Sequence, residues 1–121
     1  MTHVEGRLTS MDILEQEKLA HKSDMGVKAS AIRVKAARYA AGFDRQSEFA
    51  TRCGVSKTSY NNIEKGLQFP NRDVMRYLYR AHRIDFNFIM NGDFAQLPAD
   101  VQASLFPALQ RANDEWDQTA S

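Results

Sequence analysis

Residues 45–66, RQSEFATRCGVSKTSYNNIEKG, decide how the chain is read. Asp44 is placed to cap a helix that runs through RQSEFATRC, turns Phe49 and Ala50 inward, and stops at Gly54, where a residue without Cβ takes positive φ at little cost. About four residues reverse the chain. Ser56 then offers a hydroxyl to the first amides of a second helix, which closes at Gly66. At 100° per residue from Lys57, the side chains of Lys57, Asn61, Lys65, Thr58 and Asn62 share an arc of about 140°, with Tyr60, Ile63 and Ser59 opposite. One flank is built to pack. The other carries two lysines, two amides and a hydroxyl. Ser, Thr and Asn are mediocre helix formers, and a solvated flank would more economically use Glu and Lys, so their excess points to contact with something polar.

The same two helix-like runs sit among others. Val34, Ala37 and Ala41 recur at helical spacing over 28–41, with Gly42 as a stop. Arg38 lies in that stripe and so points inward, which demands a carboxylate partner because an unpaired buried charge is costly. After FPNRD, Asn71 caps a helix with Val74, Leu78 and Ala81 on one side. In IDFNFIMNG, Asp85 caps a short helix with Phe86, Ile89 and Met90 as core candidates and Gly92 as terminator. Strand signals are scarce, and the fold class expected is all-α.

The ends read differently. Residues 1–27 include TSMDILEQEKLAHK, a short helix capped by Ser10 whose apolar spacing is poor; the segment is expected to be an arm, flexible or partly helical. In residues 93–121, Val101, Leu105, Leu109, Ala112 and Trp116 recur at helical spacing, and Pro98 and Pro107 suit first-turn positions. Two short helices broken near Pro107 are expected. Their apolar face, with Phe106 and Trp116, either completes a homodimer or packs back on its own chain.

Composition bounds the function. The 121 residues, 43% hydrophobic, suffice for one core. No apolar run has membrane-spanning length and no secretory leader pattern opens the chain, so a cytoplasmic protein is expected, with no membrane contact. Cys53 is the lone cysteine, a candidate small core residue, and His3, His21 and His82 have no metal-ligand spacing. Neither a glycine-rich phosphate loop nor a nucleophile–base pair can be assembled, so no enzyme, metal or cofactor is expected. Charge is more telling by segment. Residues 1–27 carry three Lys/Arg against five Asp/Glu, residues 28–83 twelve against four, and residues 84–121 one against six. A middle at +8 between ends at −2 and −5 is the layout of a face that meets a polyanion.

With Gln46, EFA at 48–50, GVS at 54–56, IEKG at 63–66, Pro70 and FIMNG ending at Gly92, residues 28–92 resemble the helix-turn-helix domain of the XRE family, the Cro and lambda-repressor-like DNA-binding proteins. The resemblance implies a five-helix bundle with a short C-terminal helical extension, and a helix 57–65 laid in the major groove of double-stranded DNA. By residue-wise carry-over, Lys57, Thr58, Asn61 and Asn62 read bases, while Gln46, Ser56 and Lys65 hold phosphates. Arg38 and Glu64 form a structural ion pair, with Glu48 the rival partner. The chain departs from the family pattern in one extra residue between Gly42 and Gln46, in Tyr60 where an aliphatic residue is usual, and in Arg83 where glycine often stands. The function implied is a transcriptional regulator, a dimeric repressor on a palindromic operator, with Val101, Leu105, Phe106, Leu109 and Trp116 as its dimerisation face. The alternative is an antitoxin or adaptor that chiefly holds a protein partner.

Overall fold

The computed structural model describes residues 11–120, and these form seven α-helices with no strand among them: α1 Ile13–Leu19, α2 Val27–Ala40, α3 Gln46–Cys53, α4 Lys57–Glu64, α5 Arg72–His82, α6 Phe86–Asn91 and α7 Ala99–Ala120. Helix α2 is the central one. Its small residues Ala29, Ala36 and Ala37, all buried, let neighbours approach closely, and α4, α6 and α7 pack on it. Around it the core is filled by Phe49, Tyr60, Ile63, Leu78, Phe88 and Leu105, each fully buried.

Local signals set most boundaries. The Ser56, Asn71 and Asp85 side chains accept from the amides of Ser59, Val74 and Phe88, at 3.1, 3.0 and 2.9 Å, and so start α4, α5 and α6. Helix α3 ends at Gly54 in the left-handed conformation, φ 79°. Its start differs from expectation: Arg45, without a side-chain cap, precedes Gln46, and Asp44 stays outside the helix. The cause is distant in sequence. Arg38 Nη1 donates to the carbonyls of Phe43 and Asp44 at 3.0 and 2.7 Å, which occupies the backbone acceptors an earlier start would use. In α6 the core residues are Phe88 and Ile89, while Phe86 is exposed, contrary to the expectation for it. Arg83 follows α5 with φ 58°, a conformation that favours glycine, and its side chain reaches Asp100 at 2.5 Å.

The C-terminal segment is one helix of 22 residues rather than two short ones, and Pro107 lies inside it. A proline there removes one hydrogen bond and costs about 3 kcal/mol. Yet Val101, Leu105, Phe106, Leu109 and Ala112 are buried along the same helix, and each large apolar side chain contributes about 1.5–3 kcal/mol. Packing outweighs the break, and the exposed Pro107 ring faces away from the core. Those side chains are buried against their own chain, chiefly α2, so the apolar face expected to complete a dimer is already covered within one molecule.

The N-terminal segment is tied down as well. The Ser10 cap lies outside the described residues; Asp12 caps α1 instead, accepting from the Glu15 amide at 2.9 Å. Helix α1 packs on α7, and Ala20 is fully buried. Arg33, on α2 and also fully buried, donates to the carbonyls of Ala20, His21, Asp24 and Ile89. Burial pulls its guanidinium down to about 10, opposed by the charges of Asp24 and Asp93, so it remains a cation at neutral pH. It ties the loop after α1 to the end of α6. Gly92 permits this approach, since a Cβ there would lie 2.7 Å from the Ala20 carbonyl oxygen and 3.0 Å from the Arg33 guanidinium.

Gly92→Ala should therefore lose at least about 2–3 kcal/mol of unfolding free energy, since strained backbone and a backbone clash coincide there. Gly42→Ala, with positive φ but open space around it, should lose only about 1 kcal/mol. Urea unfolding of the two variants measures the gap, and equal midpoints would contradict it.

Candidate nucleic-acid interface

Helix α4 is held from its inner flank by a buried polar knot. Arg38 Nε and Nη2 donate to the two carboxylate oxygens of Glu64 at 2.7 and 3.1 Å. Gln46 Nε2 adds a third donor at 3.0 Å, and the Tyr60 hydroxyl, one helical turn before Glu64, is the fourth. Burial works against the Arg38 charge, but hydrogen bonds to Glu64 and its negative charge outweigh that and hold the guanidinium above its ordinary value. Burial, followed by the charge of Glu64, pushes the Tyr60 phenol well above its usual range, so it stays a donor. Arg38 thereby joins α2, the loop into α3, and α4. Glu48, the rival partner, is exposed and forms no ion pair among the described residues.

With Tyr60, Ile63 and Glu64 buried, the rotation of α4 about its axis is fixed. Lys57 and Thr58 are exposed, and Asn61 and Asn62 are half-buried. None of these four side chains, nor that of Lys65, makes a hydrogen bond or ion pair among the described residues. The arc has two parts, however. Asn61 and Lys65 line a cleft of about 390 Å³ whose far wall is Trp116 and Thr119 near the end of α7, whereas Lys57, Thr58 and Asn62 do not line it. Trp116, half-buried, packs beside the turn that follows α4: its ring lies where a Cβ on Gly66 would come within 3.1 Å, and Lys28 Nζ sits 5.5 Å from its centroid.

Two of the expected phosphate ligands have other occupations. Gln46 spends one amide hydrogen on Glu64, and the Ser56 hydroxyl caps α4 by accepting from Ser59. Lys65 is exposed and unengaged. Further cations of residues 28–83 were not singled out from the sequence. Of the twelve in residues 28–83, only Lys35, Arg38 and Arg83 pair with a carboxylate among the described residues. Lys28, Arg45 and Arg52 are exposed, on α2, beside α3 and on α3. Arg33 was equally legible in principle, because it falls between Ala29 and Ala37 at i±4 on the buried stripe. The Tyr60–Glu64 bond also had a signal, the i, i+4 spacing.

Other chemistry has less to build on. Among the described residues no cluster of His, Cys, Asp and Glu has the arrangement to hold a metal ion, and no helix is long and apolar enough to cross a membrane. Cys53 is buried, which pushes its thiol up to about 12 and leaves it protonated. Compared with known proteins, the chain matches no family model, no curated protein and no solved structure.

Glu64→Gln removes the charge that compensates Arg38 while keeping the shape, and should cost about 3–5 kcal/mol of stability. Glu48→Gln should stay within about 0.5 kcal/mol of the parent chain. Chemical denaturation of both, followed by circular dichroism, checks the assignment; a larger loss at Glu48 would reverse it.

Proposed function

We propose that this chain is a sequence-specific DNA-binding regulator that lays α4 in the major groove, with α2 to α6 as a domain of the lambda-repressor type and α1 and α7 as its supports. One observation carries the reading: the outward arc of α4 presents amide, hydroxyl and ammonium groups with no hydrogen bond among the described residues, on a helix whose rotation is fixed by the Glu64 knot. Asn62 and Asn61 suit the paired donor and acceptor of adenine, Lys57 the acceptors of guanine, and Thr58 the thymine methyl. Because Asn61 and Lys65 border the cleft under α7, the open trio Lys57, Thr58 and Asn62 forms the centre of the reading surface.

Lys28, Arg45, Arg52 and Lys65, which pair with no carboxylate among the described residues, supply attraction to phosphates irrespective of sequence. Gln46 has a second amide hydrogen beyond the one given to Glu64, and the first amides of α4 remain for a phosphate after Ser56 has capped one of them. A cytoplasmic repressor acting as a pair on a palindromic site is the form such a module most economically takes, since one small module supplies little specific affinity.

Selection of binding sites from random duplex, followed by fluorescence anisotropy on the preferred site, tests this. Asn62→Ala should cost roughly 1–3 kcal/mol on that site and relax one base position, while Lys65→Ala should weaken all sequences alike and flatten the salt slope. No enriched sequence, or equal losses of both variants on random DNA, would defeat the proposal.

A further inference from the structure

Two exposed features lie outside the α4 surface, and each has what the other lacks. The first is a groove of about 520 Å³ between α5 and the start of α6, with Met75, Tyr79 and Phe86 as its apolar floor. Tyr79 is 61% and Phe86 57% exposed, and the two aromatic side chains line the same groove. Arg72 and Arg76 line this groove, and Arg80, one turn further along α5, lines the adjoining hollow. None of the three has a carboxylate partner among the described residues. The one acid at the groove, Asp85, is already engaged by the Phe88 amide and by Gln96.

The second feature is α1. Its outer side shows Ile13, 56% exposed, and Leu14, 73% exposed, flanked by Asp12 and Glu15. The Glu15 carboxylate has no partner among the described residues. An apolar floor with a cationic rim thus faces solvent on the same molecule as an apolar knob with an acidic rim. A phosphodiester backbone would satisfy the arginines but leave Met75, Tyr79 and Phe86 against water, so a protein occupant fits better.

We propose that the groove receives α1 of a second copy of this chain, with Leu14 and Ile13 on the aromatic floor and Glu15 against Arg76, in a reciprocal two-fold pair. The chain's own α1 is not the occupant, because it packs on α7 and the Arg33 cage ties the loop that follows it to the end of α6. Both features border the same stretch. Met11 and Gln16 line a hollow with Ala99 and Phe106 at the start of α7, and Gln96, just before α7, bonds Asp85 at the groove. A two-fold axis near that stretch brings each α1 to the other groove. The contact is then made twice, which a stable interface of roughly 1,200 Å² or more requires of so short a helix. This pairing supplies the two-fold form given to the proposed regulator but does not rest on DNA binding: a monomeric chain that still selects a DNA sequence would overturn the pairing alone.

Analytical ultracentrifugation of the full chain tests it, without DNA. The parent chain should sediment as a dimer that weakens with salt, with no larger species. Leu14→Asp, Glu15→Arg and Arg76→Glu, all exposed positions, should each raise the dimer dissociation constant at least tenfold while circular dichroism stays unchanged. An equimolar mixture of the Glu15→Arg and Arg76→Glu chains should recover the dimer, because both reciprocal contacts are then complementary. A monomer up to 100 µM, an open-ended series of oligomers, or a dimer indifferent to these substitutions would overturn the pairing.

Discussion

The carboxylate of Glu64, out of water and surrounded by four donors from Arg38, Gln46 and Tyr60, is the constraint on which the arrangement of α4 depends. A buried pair of this kind gives little net stability, since desolvating both charges cancels much of their attraction. What it supplies is direction. Glu64 has to face Arg38, Tyr60 one turn earlier has to face the same way, and the opposite side of an eight-residue helix has only one way left to point. Arg38 also takes the carbonyls of Phe43 and Asp44, so the same guanidinium sets the start of α3.

Two further anchors fix the surroundings. Arg33 closes four carbonyls around one buried cation and so joins the N-terminal segment to α6 through the close approach at Gly92. On the other side Glu115 of α7 accepts from Lys35 at 2.9 Å and from Tyr39 at 2.7 Å, and Trp116 braces the chain at Gly66, where α4 has just ended. The acidic end of the chain thus neutralises part of α2, while Arg45, Arg52, Lys57 and Lys65 pair with no carboxylate among the described residues. That is how a net charge of +1 coexists with a cationic surface.

Much of this was legible in the residues because it is local. The caps Ser56, Asn71 and Asp85 act within three residues, and Gly54, Gly66 and Gly92 take the left-handed turns their positions suggest. The packed and open flanks of α4 followed from 100° spacing alone. What sequence spacing missed was decided at long range. The start of α3 is set by Arg38 from the preceding helix, and the continuity of α7 past Pro107 is set by the surface of α2. The fate of the α7 apolar side was open for the same reason, since a stripe shows that something covers it but not whether that is the same molecule. Phe86 and Phe88 illustrate the limit in a six-residue helix, where one residue of phase exchanges core for solvent.

The account turns on the outward side of α4 being the surface that meets bases. The most direct measurement is NMR of the side-chain amide groups of Asn61 and Asn62 during titration with a selected duplex and with a scrambled duplex of equal length. The account predicts large shifts of the Asn62 amide with the selected duplex and small, salt-sensitive ones with the scrambled duplex. An Asn62 amide that stays unmoved by both, or responds identically to both, would contradict it.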